Sequence, residues 1–306
     1  MFPPGGAYAE RMEAGATLVD AHAAARREGR TLVLCDVSPP RSAAIESLPA
    51  IAAIAADYYC CAYAPGRAVR LDSLAMAVRL HQATGRGAMF NLATRDMNVL
   101  ALQTHLLGAQ ALGVSNVVVV KGDDFTARDQ TLTRAVHDIT PTGLLRAITA
   151  MNSGTDFRGS PLRAPSALCA GATIDLARPH EAEAKLAARK LRAGARFLIT
   201  QPIYAPEEAE RFHATYRRVM GDELAVPVFW GFAVLAAESI TFGALPERWH
   251  LDLERGRPGA DLAAQELRHF TDAGLNALYL MPPILRGGAR DYAAAAAALK
   301  EGLRSV

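Results

Sequence analysis

Short runs of β-branched and apolar residues recur eight times along this chain, each followed by a longer segment whose apolar residues keep helical spacing. The runs lie at 31–37, 58–63, 87–92, 116–121, 167–174, 196–200, 226–230 and 277–280. Helical patterns occupy 98–112, 142–151, 180–193, 206–220 and 262–273, and the Ala-rich stretch 293–298 supplies a last helix. Gly85, Gly113, Gly194 and Gly274 follow periodic segments, as helix stops do. Eight strand–helix units predict an α/β fold, a single closed (β/α)8 TIM barrel. An Ala- and Arg-rich helical stretch from about residue 9 to residue 28 precedes the first run. The expected organisation is therefore an N-terminal helical extension over 1–30 and a barrel over 31–306.

Composition agrees with one large core and excludes several classes. The chain has 306 residues, 51% of them hydrophobic, which is enough for one barrel domain. Its formal charge is +2 with scattered basic residues, so it carries no electrostatic footprint for nucleic acid. The first eight residues lack the charged and apolar regions of a signal peptide, and the apolar runs are too short to span a membrane. A cytoplasmic protein is expected. Cys35, Cys60, Cys61 and Cys169 form no C-x2-C pair and read as small buried hydrophobes. The eight histidines are dispersed without metal-ligand spacing, and glycine-rich nucleotide loops and serine-nucleophile motifs are missing, so no metal is expected.

Barrel enzymes build their active sites at the C-terminal ends of the strands. There the sequence places Asp36, Tyr63, Asn91, Arg95, Asp96, Lys121, Gly122, Asp123, Gln201 and Arg286. The segment between Lys121 and Thr142, rich in Asp, Thr and Arg, is too long for a plain connection and marks a functional loop. Lys121 alone would also suit a Schiff-base lyase. The Gly-Asp-Asp that follows it looks more like a ligand-binding turn.

Several blocks resemble a known family. Asn91-Leu-Ala-Thr-Arg-Asp-Met-Asn98 is followed by Leu102-Gln-Thr-His-Leu-Leu-Gly-Ala-Gln-Ala-Leu-Gly-Val-Ser-Asn-Val-Val-Val-Val-Lys-Gly-Asp123. Then come Val136-His-Asp-Ile-Thr-Pro-Thr-Gly-Leu-Leu145, Met151-Asn-Ser-Gly-Thr-Asp156, Gly194-Ala-Arg-Phe-Leu-Ile-Thr-Gln-Pro-Ile-Tyr204 and Leu278-Tyr-Leu-Met-Pro-Pro283. In this order they resemble methylenetetrahydrofolate reductases, and most closely the reductase half of bifunctional homocysteine methyltransferase/reductases.

The resemblance implies interconversion of 5,10-methylene- and 5-methyltetrahydrofolate with NAD(P)H through FAD. It implies a place in one-carbon metabolism and methionine biosynthesis, with the physiological direction, oxidative included, left open. It assigns catalysis to Asp36, Asp123 and Gln201, and substrate binding to these three and Arg286. Tyr63, Asn91, Arg95, Lys121, Gly122 and Asp123 become cofactor-binding residues, together with Ile139, Arg189 and Lys190. The last two would meet the cofactor phosphates. It is compatible with a homo-oligomer. The chain departs from the family at Asp36, where a glutamate assists proton delivery to the folate, at Asn91 for a histidine, at Ala93 for a threonine, and at Ile174-Asp175 for Asn-Pro. The change at Asp36 keeps a second reading open, a catalytically weak folate-binding barrel or partner subunit.

Overall fold

The structure is a computed structural model that describes residues 17–236, 239–241, 245–285 and 288–303. Its strands are β1 (Leu32–Val37), β2 (Tyr58–Cys61), β3 (Gly87–Ala93), β4 (Asn116–Val120), β5 (Cys169–Ile174), β6 (Phe197–Pro202), β7 (Val228–Ala233) and β8 (Ala277–Met281). Every neighbouring pair is parallel, and β8 returns to β1 through the register Leu32↔Ala277 to Cys35↔Leu280, so the sheet closes as an eight-stranded barrel. The fold expected from the alternation is the fold found.

Around it lie α1 (Leu18–Arg27), α2 (Leu48–Ala52), α3 (Ser73–Thr84), α4 (Val99–Ala111), α5 (Pro141–Asn152), α6 (His180–Arg192), α7 (Pro206–Met220), α8 (Glu247–Glu254), α9 (Gly259–Asp272) and α10 (Tyr292–Gly302). Helices α2, α3 and α8 are additions to the segments singled out by periodicity. Residues 9–16 of the expected N-terminal helical stretch lie outside the described residues.

Two nested cores follow from strand alternation. Outward residues such as Val33, Phe90, Val117 and Leu198 pack under the helices. Inward residues, among them Leu34, Met89, Val118, Phe197 and Phe229, fill the barrel. The inner layer is fitted by size: a Cβ on Gly171 would fall 2.1 Å from the ring of Phe197, so only glycine leaves room for that ring.

Helix α1 seals the N-terminal end. Thr17 and Asp20 cap it reciprocally, and its Leu18 and Ala25 are buried against the inner layer. The Leu18 N–H donates to Asn116 Oδ1 at 2.8 Å, fastening the helix to the base of β4. With the lower end filled, the open end is where the strands finish. Among the described residues no helix is long and apolar enough to cross a membrane.

Candidate active site

The alternation that buries Leu32 and Leu34 inside the barrel carries Asp36, two residues further, to the same face at the end of β1. The same parity brings Cys60, Asn91, Gln201 and Tyr279 inward. They line a mouth cavity of about 740 Å³, with Tyr63, Lys121, Gly122, Asp123 and Arg290 on its rim and wall. The three residues expected to be catalytic, Asp36, Asp123 and Gln201, are thus brought together.

At Gln201 the pairing of β6 with β7 is irregular. The β6–β7 ladder shifts register between Ile199 and Pro202, and the Gly231 N–H donates to Thr200 Oγ1 at 2.6 Å. A Cβ on Gly231 would stand 2.5 Å from the Gln201 carbonyl oxygen, so the approach of the two strands requires glycine.

Asp36 is 4% exposed and its two oxygens are both acceptors. Oδ1 receives the Tyr279 hydroxyl at 2.7 Å, and Oδ2 forms an ion pair with the Arg290 guanidinium. Arg290 is itself held by Ser38 Oγ and the Pro282 carbonyl, each at 2.9 Å. Burial, then the neighbouring Asp36 charge, pushes the Tyr279 phenol well above its ordinary range, so it is a hydrogen-bond donor. The Cys60 thiol, also raised by burial and by Asp36, donates to Asn91 Oδ1 at 3.3 Å.

Opposite, Arg95 is almost wholly buried and chelates Asp96 through Nε and Nη2 at 2.7 and 2.8 Å. Its Nη1 donates to the Asp123 carbonyl, and its guanidinium lies 4.2 Å over the Phe125 ring. Burial opposes the charge of Asp96, but the hydrogen bonds and charge of Arg95 prevail and hold that carboxyl below its ordinary value. Burial and then the charge of Asp96 push the Tyr63 phenol up. Arg95 therefore anchors the loop that carries Asp123, and does not itself line the mouth. Ile139 packs on the outer core, touching the start of α5.

That loop, as expected, is long; its only helical turn among the described residues is Asp129–Thr131. Arg67, from the loop after β2, pairs with Asp129 at 3.1 Å. The Lys121 ammonium lies in solvent against Asp124 at 2.6 Å, outside the apolar surroundings that make a Schiff-base amine nucleophilic.

A second cleft, of about 680 Å³, adjoins the mouth and shares Val120, Lys121, Thr173, Arg178 and Gln201 with it. Arg146, Arg178, Arg189, Lys190 and Arg192 line it beside the N-terminus of α5, against Asp175 and Glu183. Lys190 is largely buried and donates to the Thr173 carbonyl; desolvation lowers its pKa, and Glu183 opposes that shift. Among the described residues no group of three His, Cys, Asp or Glu side chains is placed to hold a metal.

The sequence matches the methylenetetrahydrofolate reductase family over residues 21–241, well over half of its length. The chain belongs to the methylenetetrahydrofolate reductase family. No curated protein matches it closely enough to count as a relative. Among solved structures, a Clostridium thermocellum protein that binds two copies of 5-methyl-5,6,7,8-tetrahydrofolic acid is similar at 12% identity and a TM-score of 0.58. The similarity covers 91% of this chain and 98% of that one. Tryptophan synthase from M. tuberculosis is similar at 13% identity and a TM-score of 0.49, over 92% of this chain and 97% of that one. The likeness to the Clostridium thermocellum protein is one of fold.

Against the methylenetetrahydrofolate reductase pattern, the sequence reading missed Arg290, Tyr279 and Arg178. Tyr279 lies inside the matched block 278–283 and was there to be found. Arg286, expected near the folate, lies outside the described residues.

Proposed function

We propose that the chain is a folate oxidoreductase that interconverts 5,10-methylene- and 5-methyltetrahydrofolate with a nicotinamide nucleotide. The observation that carries this reading is the meeting of Asp123, Gln201 and Asp36 around one cavity in a member of the methylenetetrahydrofolate reductase family. A pterin edge offers adjacent donors and acceptors. An amide can answer with both, and a carboxylate with acceptors alone. Gln201 and Asp123 supply that pair, and Asp36 stands ready to exchange a proton with a folate amine. The Clostridium thermocellum protein supports a reduced folate as the ligand of such a barrel.

The family implies FAD, and the donor set suits it. Among the described residues, the basic cleft concentrates six cations and a helix N-terminus against two carboxylates, a composition matched to a diphosphate. Because the cleft and the mouth share residues, a long ligand can lie in both. Arg178, Arg189 and Lys190 would hold its phosphates, with Asp123, Asn91 and Tyr63 around its ring. Bound there, a flavin supplies the carrier that passes an electron pair between nicotinamide and folate carbon. The protein's own part is to fix the folate through Gln201 and Asp123 and to handle the proton at Asp36.

The test is anaerobic mixing of the purified chain with 5-methyltetrahydrofolate and oxidised nicotinamide nucleotide, and the reverse with methylenetetrahydrofolate and NADH or NADPH. Folate-dependent change of nicotinamide absorbance is expected. Its absence in both directions, with FAD supplied, overturns the reading.

A further inference from the structure

Among the described carboxylates lining the mouth, Asp36 has both oxygens engaged by protein donors, and the stronger engagement comes from a residue no motif includes. Arg290 reaches Asp36 Oδ2 from the segment between β8 and α10, and the pair is almost wholly buried. Three hydrogen bonds, to Asp36, Ser38 Oγ and the Pro282 carbonyl, use the guanidinium on both its edges, so its orientation is fixed.

The other groups around Asp36 supply no competing proton. Tyr279 donates to Oδ1, and Tyr292, whose hydroxyl accepts the Ser38 N–H at 3.2 Å, is held high by burial and then by Asp36. Cys35 and Cys60 are buried thiols raised by desolvation. Among the described residues a further cation on this side, Arg70, is bound to the Pro39 and Pro65 carbonyls and adds positive potential beside Arg290.

A carboxylate has about four lone-pair positions, and the Tyr279 and Arg290 contacts occupy one on each oxygen. What remains faces the mouth. A carboxylate held in this way keeps its free lone pairs aimed at the mouth, where it can take up a proton in one direction of the reaction and return it in the other.

We infer that Arg290 is the positioning residue for Asp36, and that it sets Asp36 as the acceptor of the folate N10 proton; the inference rests on the folate reading above. In the oxidative direction the N5 methyl C–H bond breaks and its electron pair leaves as hydride, reducing the oxidised nicotinamide nucleotide. The carbon, now doubly bonded to N5, is attacked by N10. The C–N10 bond forms and the N10–H proton passes to Asp36. One hydride and one proton leave the folate, and both have a named acceptor.

The test is a double-mutant cycle on the holoenzyme, measuring single-turnover oxidation of 5-methyltetrahydrofolate in R290M, D36N and the double variant. R290M should slow the step about 10²-fold, the lower end of what a positioned proton-transfer group contributes, with KM for the folate little changed. The double variant should be no slower than D36N, because Arg290 works through Asp36. R290K should restore part of the rate. Additive losses, or a loss confined to KM, overturn the inference.

Infrared spectroscopy of the folate-free protein gives a readout independent of turnover. The carboxylate stretch that D36N removes should move in R290M, because the Arg290 contact on Oδ2 is lost. If that band does not move, the inference fails even where the folate reading stands. If it moves in a chain that turns over no folate, the reading of the reaction is what has failed, and the assignment of a proton role to Asp36 falls with it.

Discussion

Arg95 donates to the main-chain carbonyl of Asp123 while gripping Asp96 with its other two nitrogens, so one buried guanidinium sets where the loop after β4 begins. The Val136 N–H returns to the Arg95 carbonyl at 2.7 Å, closing that loop at its far end onto the same residue.

Replacing Arg95 by Met should therefore loosen residues 121–140 as a unit. The loss of charge-assisted bonds and the partly buried Asp96 left unpaired should cost about 2–3 kcal/mol in urea unfolding. Limited proteolysis should cut first within that loop. Lys at this position should not rescue, since it can neither chelate Asp96 with two nitrogens nor stack on Phe125. Unchanged proteolysis would remove Arg95 from its anchoring role.

The barrel was legible because parallel strands buried on both faces produce apolar runs that stand out against amphipathic helices. Helix α3 was signalled only by Gly85, the glycine that ends it, and α2 is a single turn. Asp36, Asp123 and Gln201 were legible because a barrel collects the strand ends whatever the exact register. Arg290 was not: its partner lies 254 positions away, and an ion pair across the closing seam leaves no local pattern. Arg95 was placed at the mouth by its position in sequence. Its adjacency to Asp96 was the local sign that it is occupied structurally.

Gln201→Ala should raise KM for the folate by up to about tenfold, the worth of one neutral hydrogen bond, with a smaller effect on reduction of any bound carrier by NADH or NADPH. Asp123→Asn keeps the shape and removes the charge, and should slow the folate step more than it weakens binding. Steady-state kinetics resolved into the two half-reactions would show both. Equal loss in both half-reactions would place these residues elsewhere than beside the folate.

The basic cleft gives a prediction for FAD. The chain should take up FAD with a visible flavin band, and affinity should fall as salt rises, because Arg178 and Arg189, which would hold its phosphates, are exposed. Arg189→Ala with Arg192→Ala should weaken uptake, as read by absorbance titration. A colourless protein that takes up no FAD yet oxidises NADH in the presence of methylenetetrahydrofolate would mean direct hydride transfer.

Acid stability should turn on two histidines at the closed end. Desolvation lowers the pKa of His22 and of His213, which stack edge-on against Phe229 and Trp230. Below pH 6.5, their unperturbed value, the unfolded chain binds protons that the folded chain resists. Stability should fall as pH drops through that point toward the depressed native values, and should be constant above it as far as these groups are concerned. His213→Phe, which keeps the ring contact with Trp230, should flatten the decline in a series of urea midpoints at falling pH. An unaltered slope would assign the acid loss to other groups.

The Asp36–Arg290 pair also has a consequence in time. Asp36 leaves the ribosome in the first strand, and its partner emerges only after all eight strands have been made. Seven strands can be present with the carboxylate still bare and the mouth still open along one side. The surroundings of Asp36 are then completed late, by the docking of β8 beside β1, which brings Tyr279 and Arg290 to it together. A nascent or prematurely ended chain thus holds Asp36 without its partners, however much of its sheet has formed.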